Sequence, residues 1–375
     1  MNPSEIRAVI SLGALYALRM FGMFMVLPVL ALYAATLPGG ASGVQIGLAI
    51  GIYGLTQALL QIPLGMASDR YGRKPVIVIG MCVFAFGSLW AALAHSIEMI
   101  TLGRALQGAG AISAAVAALL ADVTRPQVRT TAMAILGMGM GLAFVLALVL
   151  GPVLAGIIGV PGIFAMTAVL ALISIPVVLL GVPTPVLPGG TRGHLKDAFA
   201  DPALLKLDGG IFILHACMTA LFVAAPQAIV QTLHLPSAAH WQVYLPVLLL
   251  SLIPVFPLIR WAESQSRMQA VFSGAILCLS AAFGLMAAGH THVAGLMAAL
   301  VLFFAAFNFL EGALPSIISR RVAADQRGAA LGVYSTAQFL GGGMGGVLGG
   351  FALQHWGLGG VFALANTGSG GLAAH

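Results

Sequence analysis

The sequence predicts an all-α membrane protein of two pseudo-symmetric helical bundles, with eleven full spans and a truncated twelfth. Three observations predict it. Of 375 residues, 60% are hydrophobic and only 7% are charged, where an ordinary soluble domain carries about 25% charge. Apolar runs of about twenty residues, the length that crosses a hydrocarbon core as a helix, recur from end to end. The halves also repeat at a constant offset. Pro63, Asp69 and Arg73 correspond to Pro257, Glu263 and Arg267, and GPVLAG (151–156) corresponds to GGVLGG (345–350).

Sixteen basic and ten acidic side chains could not cover the surface of a soluble fold this long, and the mean hydropathy is +1.05. A β-barrel would display short alternating segments instead. The 48 glycines and 19 prolines suit transmembrane helices, which use close backbone approach and tolerate proline. The net charge of +6 does not indicate nucleic acid, because the basic residues sit in short loops. Cys82, Cys217 and Cys278 fall in three different spans without paired spacing and read as small buried apolar residues. No cofactor or metal is implied. The N-terminus has no cleavage-site pattern, so the first span reads as retained.

Breaks at Gly, Pro and charge clusters place the spans at 8–34, 44–67, 75–95, 97–121, 130–158, 161–182, 208–232, 241–262, 268–289, 293–318 and 328–355. One set of connections holds Arg7, then Arg70, Arg73 and Lys74, then Arg125 and Arg129. It continues with Arg192, Lys196 and Lys206, then Arg260 and Arg267, and finally Arg320, Arg321 and Arg327. The other set holds no Lys or Arg. This alternation predicts a cytoplasmic N-terminus. The Pro- and Gly-rich middle loop, whose mixed charges run through Asp208, divides a six-span bundle (1–182) from a second bundle (208–375). Within the 183–207 linker, residues 195–207 could form a short amphipathic surface helix.

The loop after span two reads GMASDRYGRK (65–74). Gly65, Asp69, Arg70, Gly72, Arg73 and Lys74 fit the loop signature of the major facilitator superfamily. Span four carries GRALQGAGA (103–111), and span five ends in a pattern that runs from Gly141 through Gly151 and Pro152 to Gly156, with Ala155 in place of a common glycine; both resemble motifs of the same superfamily. The runs LRMFGMFMVLPVL (18–30), IGIYGLTQALLQIPLGMASDRYGRKP (50–75), HWQVYL (240–245) and GVYSTAQFLGG (332–342) look like the YajR-type group of bacterial inner-membrane transporters.

The resemblance implies a proton-coupled exporter of small amphiphilic or drug-like solutes in the bacterial inner membrane, working by alternating access as a monomer, and not an enzyme. Its partners would be a small-molecule substrate, protons and the lipid bilayer. Relatives of this type have twelve spans and then a soluble domain, whereas the run after Leu364 reads as too polar and glycine-rich to cross. A passive facilitator or importer on the same fold is the alternative, and an inactive or partner-dependent short form is another. A nucleotide-driven pump would need a GxxxxGK[ST] loop, which is absent from the sequence. GASG (40–43) is too weak a pattern, in a short loop, to support an intramembrane serine protease.

The loop signature reads as a conformational latch. Asp69 would face the positive N-terminus of span eleven near Gly328, and Arg73 is placed to pair with Asp122; simple positive-inside anchoring is the plainer alternative. Ionisable groups deep in a membrane are costly. Arg19, Arg104 and Glu311 fall on spans one, four and ten, which line the central cavity in the family fold. Glu311 is the first candidate for proton coupling, because a low-dielectric site penalises a carboxylate's charged form; a fixed structural pair is the alternative. Arg104, Arg19 and His215 are further candidates, each with a structural or packing reading beside it. Met23, Tyr53, Gln57, Gln61, Phe222, Gln227, Asn308, Tyr334 and Gln338 are candidate cavity residues, and Gly151, Pro152 and Gly156 a candidate gate with a bend at Pro152. GMGMG (137–141) and GGGMGGVLGG (341–350) suit close helix crossing.

Overall fold

A computed structural model of the chain describes residues 1–184, 201–264, 267–322 and 327–373. Among these residues the only regular structure is helical. The helices are α1 (Pro3–Met25), α2 (Leu27–Ala35), α3 (Gly43–Tyr71), α4 (Arg73–Ala92), α5 (Ile97–Ala109), α6 (Ser113–Asp122) and α7 (Pro126–Gly181). They continue with α8 (Pro202–Leu233), α9 (Trp241–Leu252), α10 (Val255–Ser264), α11 (Met268–Gly289), α12 (Val293–Arg321) and α13 (Arg327–Ala373). Taking short neighbours together, ten helical segments among the described residues are long and apolar enough to cross a membrane.

Local chemistry explains where these helices start and break. Asn2 and Glu5 form a reciprocal cap on α1: Glu5 N donates to Asn2 Oδ1 at 2.8 Å and Asn2 N to Glu5 Oε2 at 2.7 Å. Asp201 caps α8 by accepting from Ala203 N at 2.8 Å, and Pro202 takes the first helical position. The helix therefore starts earlier than the expected 208, and Asp208 lies inside it. Of the expected surface helix at 195–207, residues 195–200 lie outside the described residues, with Arg192, and the rest forms the first turns of α8. Span one divides at Val26, two residues before Pro28, and span four at Gly110–Ile112.

Helix α7 has 56 residues. As one rod it would measure about 84 Å, against a hydrocarbon core of about 30 Å. Gly159 breaks it into two limbs with φ 71° and ψ 170°, a conformation that favours glycine. The break falls between the expected spans 130–158 and 161–182, and backbone angles stay helical through Pro152. The 47-residue α13 breaks in the same way at Gly357. Beyond Leu364 it remains helical to Ala373. Thr367 Oγ1 donates to Leu364 O at 2.8 Å, Ser369 Oγ to Asn366 O at 3.0 Å, and Ser280 Oγ to Ser369 Oγ at 3.0 Å. The hydroxyls of Thr367 and Ser369 thus bond their own backbone, and Ser369 also meets Ser280 on α11.

The chain packs as two compact units, Met1–Leu30 with Ile52–Gly193, and Ala31–Gly51 with His194–His375. The short stretch 31–51 joins the second unit because Gly43, Gly47 and Gly51 lie against α13. A Cβ added at Gly350 would come within 2.7 Å of Gly47 Cα, and one at Gly346 within 2.6 Å of Gly51 Cα. The run 341–350 therefore does make the expected close crossing. GMGMG does not: Gly137 and Gly141 have nothing within 4 Å of such an atom, and Gly139 meets only Ala17 and Gly13 at 3.8 Å and beyond. Cys217 is buried, but Cys82 and Cys278 are exposed on the outer faces of their helices, where a bilayer makes apolar exposure cheap.

Candidate functional site

Three clusters hold the polar side chains that sequence reasoning singled out. The first lies at the basic end of the first unit. Gly72 turns the chain between α3 and α4 with φ 100°, which accounts for glycine at that point of the signature. The turn presents Arg73, whose Nε donates to Asp122 Oδ2 at 3.0 Å and whose Nη1 donates to Ser68 Oγ at 2.8 Å and to Asp69 Oδ1. Lys74 Nζ donates to Val182 O at 2.5 Å and Leu179 O at 3.3 Å, capping the end of α7. A Cβ at Gly65 would sit 3.3 Å from Ala114 Cβ, so a small residue is needed where α3 passes α6. Arg70 is exposed and lies 5.4 Å over the Tyr71 ring. The partner expected for Asp69 falls partly outside the described residues, which omit 323–326 and the side chain of Arg327.

A neighbouring pair was not anticipated. Arg125 Nε donates to Glu5 Oε1 at 2.8 Å, its Nη2 to Glu5 Oε2 at 3.1 Å, and its backbone N to Oε1 at 3.1 Å. These bonds hold the Arg125 guanidinium above its ordinary range, the side-chain hydrogen bond to Glu5 being the largest cause. The signal was present in the sequence: Asn2-Pro-Ser-Glu5 is a capping pattern that fixes the carboxylate at the start of α1.

The second cluster lies inside the same unit. Arg19 is fully buried; its Nη2 donates to Gln57 Oε1 at 2.8 Å and Gly110 O at 3.1 Å. Gln57 Nε2 donates to Ser113 Oγ at 3.0 Å, which Tyr16 Oη also meets at 3.2 Å. Arg104 Nη1 donates to Gln107 Oε1 at 2.9 Å, and Gln107 Nε2 donates on to Ser88 Oγ at 2.8 Å. The two guanidinium groups lie 5.9 and 5.0 Å from the Tyr53 ring centroid, and Arg19 also lies 5.0 Å from Phe84. Ring faces of this kind offset part of the cost of sealing a cation away from water. Met23 and Gln61 are buried in the same unit. Gly151 lets α7 approach α1: a Cβ there would come within 2.6 Å of Met25 O. Pro152 is buried beside it and Gly156 is exposed.

The third cluster lies inside the second unit and joins three helices. Gln338 Nε2 on α13 stands 3.0 Å from Glu311 Oε1 on α12 and 2.9 Å from His215 Nε2 on α8. Glu311 Oε2 lies 3.8 Å from His215 Nε2 and has no hydrogen-bond partner among the described residues. His215 Nδ1 meets Ile211 O at 3.3 Å. An amide nitrogen has two protons, so Gln338 can donate to both neighbours; His215 then accepts at Nε2 and donates from Nδ1, which is the neutral imidazole. Phe307 lies 5.7 Å from the His215 ring. Asn308 Nδ2 donates to Ser251 Oγ at 3.3 Å, Phe222 and Tyr334 are buried, and Gln227 is half-buried.

Residues 12–346 match the Major Facilitator Superfamily. The chain belongs to that superfamily. Its relatives include the inner membrane transport protein YajR of Escherichia coli (strain K12), 48% identical over 357 residues, or 94% of this chain and 78% of that protein. The multidrug resistance protein MdtH of Aeromonas hydrophila is 29% identical over 345 residues, covering 89% of this chain and 84% of that protein. Among solved structures, a bacterial homologue of the human lysosomal transporter Spinster, inward-facing and occupied, superposes with a TM-score of 0.79 at 15% identity. That superposition covers all of this chain and 95% of that one, and at such identity the likeness is one of fold. Membership makes the protein a multi-pass inner-membrane transporter of the alternating-access fold and not an enzyme.

Proposed function

We propose that this chain is a proton-coupled secondary transporter that exports small amphiphilic solutes, and that Glu311 carries the coupled proton. Residues 1–182 and 208–375 act as the two bundles that rock about a substrate cavity, with the N-terminus in the cytoplasm. The observation that carries the proposal is the triangle of Glu311, Gln338 and His215, drawn from three helices of one unit. In it one carboxylate oxygen accepts from Gln338 while the other faces an imidazole with no donor between them. A proton arriving at Oε2 turns that oxygen into a donor aimed at His215 Nε2, the acceptor that Gln338 now occupies. Gln338 must then release one neighbour, so proton occupancy changes which helices are tied together. That is the differential contact a coupled conformational change requires.

The Asp69, Arg73 and Asp122 cluster, with Gly65, Arg70, Gly72 and Lys74, serves as the latch that holds one state. Gly151, Pro152 and Gly156 serve as the gate on α7. Met23, Tyr53, Gln57, Gln61, Phe222, Gln227, Asn308 and Tyr334 supply the cavity wall, mixing apolar area with a few polar groups as promiscuous sites do. The multidrug resistance name of the MdtH relatives supports an amphiphilic substrate class.

The test uses everted vesicles with a pH gradient and ethidium, an amphiphilic aromatic cation, as probe. Wild type is expected to dissipate the gradient when ethidium is added, and Glu311→Gln to abolish the response while ethidium still binds. Ethidium movement without proton movement in wild type would establish the facilitator reading instead.

A further inference from the structure

We propose that Asp208 is a second proton-binding group, linked to Glu311 through Tyr334, so that protons pass between the Glu311 triangle and the Asp201 end of α8. The proposal rests on the reading of Glu311 as the coupling acid.

Asp208 lies two turns into α8 and is 6% exposed, and its Oδ1 has no hydrogen-bond partner among the described residues. A sealed polar atom without a partner is costly and rare in a structural role. Among the described residues no cation or donor fixes Asp208 in one charge state, which leaves it open to proton exchange.

Helix register places it against the triangle. A Cβ added at Gly341 would come within 2.7 Å of the Phe212 backbone, one at Gly345 within 2.5 Å of Ala216 Cα, and one at Gly349 within 3.1 Å of Ala220 Cα. Both helices advance by four at each step, so α8 and α13 run parallel, and Asp208 lies level with Ala337, between Tyr334 and Gln338. Tyr334 is one turn before Gln338 on α13. It is also 6% exposed, and its hydroxyl has no hydrogen-bond partner among the described residues. Gln338, one turn on, bonds Glu311 at 3.0 Å. On α8, Asp208 and His215 are seven residues apart, which puts them on one face about 10 Å apart along the axis.

The other charged groups described on α8, α12 and α13 are tied elsewhere or exposed. Asp201 is bonded to Arg321 at 3.3 Å, and Lys206, Arg320, Arg321 and His355 are exposed. The Tyr334 hydroxyl bonds neither carboxyl in this conformation, so transfer requires a side-chain movement that brings it to both; it then accepts the proton leaving the Glu311 carboxyl as its own proton passes to the Asp208 carboxylate, and no net charge remains on the phenol.

The test is a pH-titrated infrared difference spectrum of the full chain in lipid nanodiscs, read at the protonated carboxyl stretch. Wild type is expected to show two buried titrating carboxyls. Asp208→Asn should remove one and displace the midpoint of the other by about one pH unit, as coupled sites require. Asp208→Glu should keep two bands, which controls for folding. Tyr334→Phe should keep both bands and slow ethidium-driven proton movement about tenfold or more. Asp208→Asn spectra that retain both bands, or that lose one without moving the other, overturn the proposal while leaving Glu311 in place. Unchanged proton movement in Glu311→Gln has a different signature and overturns both readings.

Discussion

Arg73 Nε donates to Asp122 Oδ2 at 3.0 Å across 49 positions of sequence, and the two side chains are only 16% and 18% exposed. Ser68 and Asp69 share the other side of the same guanidinium. Removing one partner leaves a half-buried charge short of hydrogen bonds, a loss of about 1–3 kcal/mol between the limits for exposed and sealed pairs. Arg73→Ala and Asp122→Ala are each expected to lower transport about tenfold. The double variant should be little worse than either, because one interaction is lost in all three. Asp69→Asn should impair transport with insertion intact. Transport and membrane content measured together check this; loss of protein from the membrane would favour the anchoring reading of the motif.

The Glu5–Arg125 pair tests whether the start of α1 is fastened to the turn between α6 and α7. Glu5 is 3% exposed and its carboxylate takes three donors from Arg125. Glu5→Gln keeps the cap on Asn2 but loses the ion pair, and should lower the unfolding midpoint modestly. Arg125→Ala should lower it more, because the Glu5 carboxylate then loses all three donors at once. Thermal unfolding in detergent, followed by fluorescence of the four tryptophans, distinguishes the two.

The legible parts of this chain were those fixed by short-range rules. The all-helical, membrane-crossing character followed from apolar length. The turn at Gly72 and the reach of Arg73 to Asp122 followed from a motif whose spacing is local on one side and a helix end on the other. The parts that were hidden depend on which face of a helix meets which neighbour. Asp208 read as the edge of a polar loop, because Asp201 and Pro202, which start the helix six residues earlier, look like loop residues until their capping geometry is seen. Gly137 and Gly341 belong to similar glycine-rich runs, yet only Gly341 has a helix backbone against it. Composition cannot distinguish a glycine facing lipid from one facing a helix. Glu311, His215 and Gln338 were each picked out as polar residues on lining spans, but their convergence on one amide nitrogen depends on side-chain reach that no spacing rule encodes.

Asp201 gives a pH prediction. Hydrogen bonds from Ala203 N and then from Arg321 hold its carboxyl below its ordinary value of 3.8. The ionised form is therefore favoured in the folded state, and the cap's stabilisation is complete above that ordinary value. It is lost as pH falls through the lower folded value. Backbone amides in the first turn of α8 should exchange faster in strongly acidic buffer than near neutrality, beyond the intrinsic pH trend. Asp201→Asn, a competent cap that cannot titrate, should remove that dependence.

The glycines of α13 offer a paired test of packing against propensity. At Gly346 an added Cβ would meet Gly51 Cα at 2.6 Å and Gly47 O at 2.7 Å, both backbone atoms that no rotamer change can move aside. Association of helices in lipid draws on such close backbone contact, because there is little hydrophobic drive between apolar faces. Gly346→Ala should therefore push α13 off the first turns of α3 and lower stability by about 1–3 kcal/mol. At Gly137 the same methyl group meets nothing within 4 Å, so Gly137→Ala should gain up to about 1 kcal/mol from helix propensity alone. Thermal unfolding of the two variants in one detergent measures both signs. Equal shifts in one direction would mean that the α3–α13 contact does not control stability.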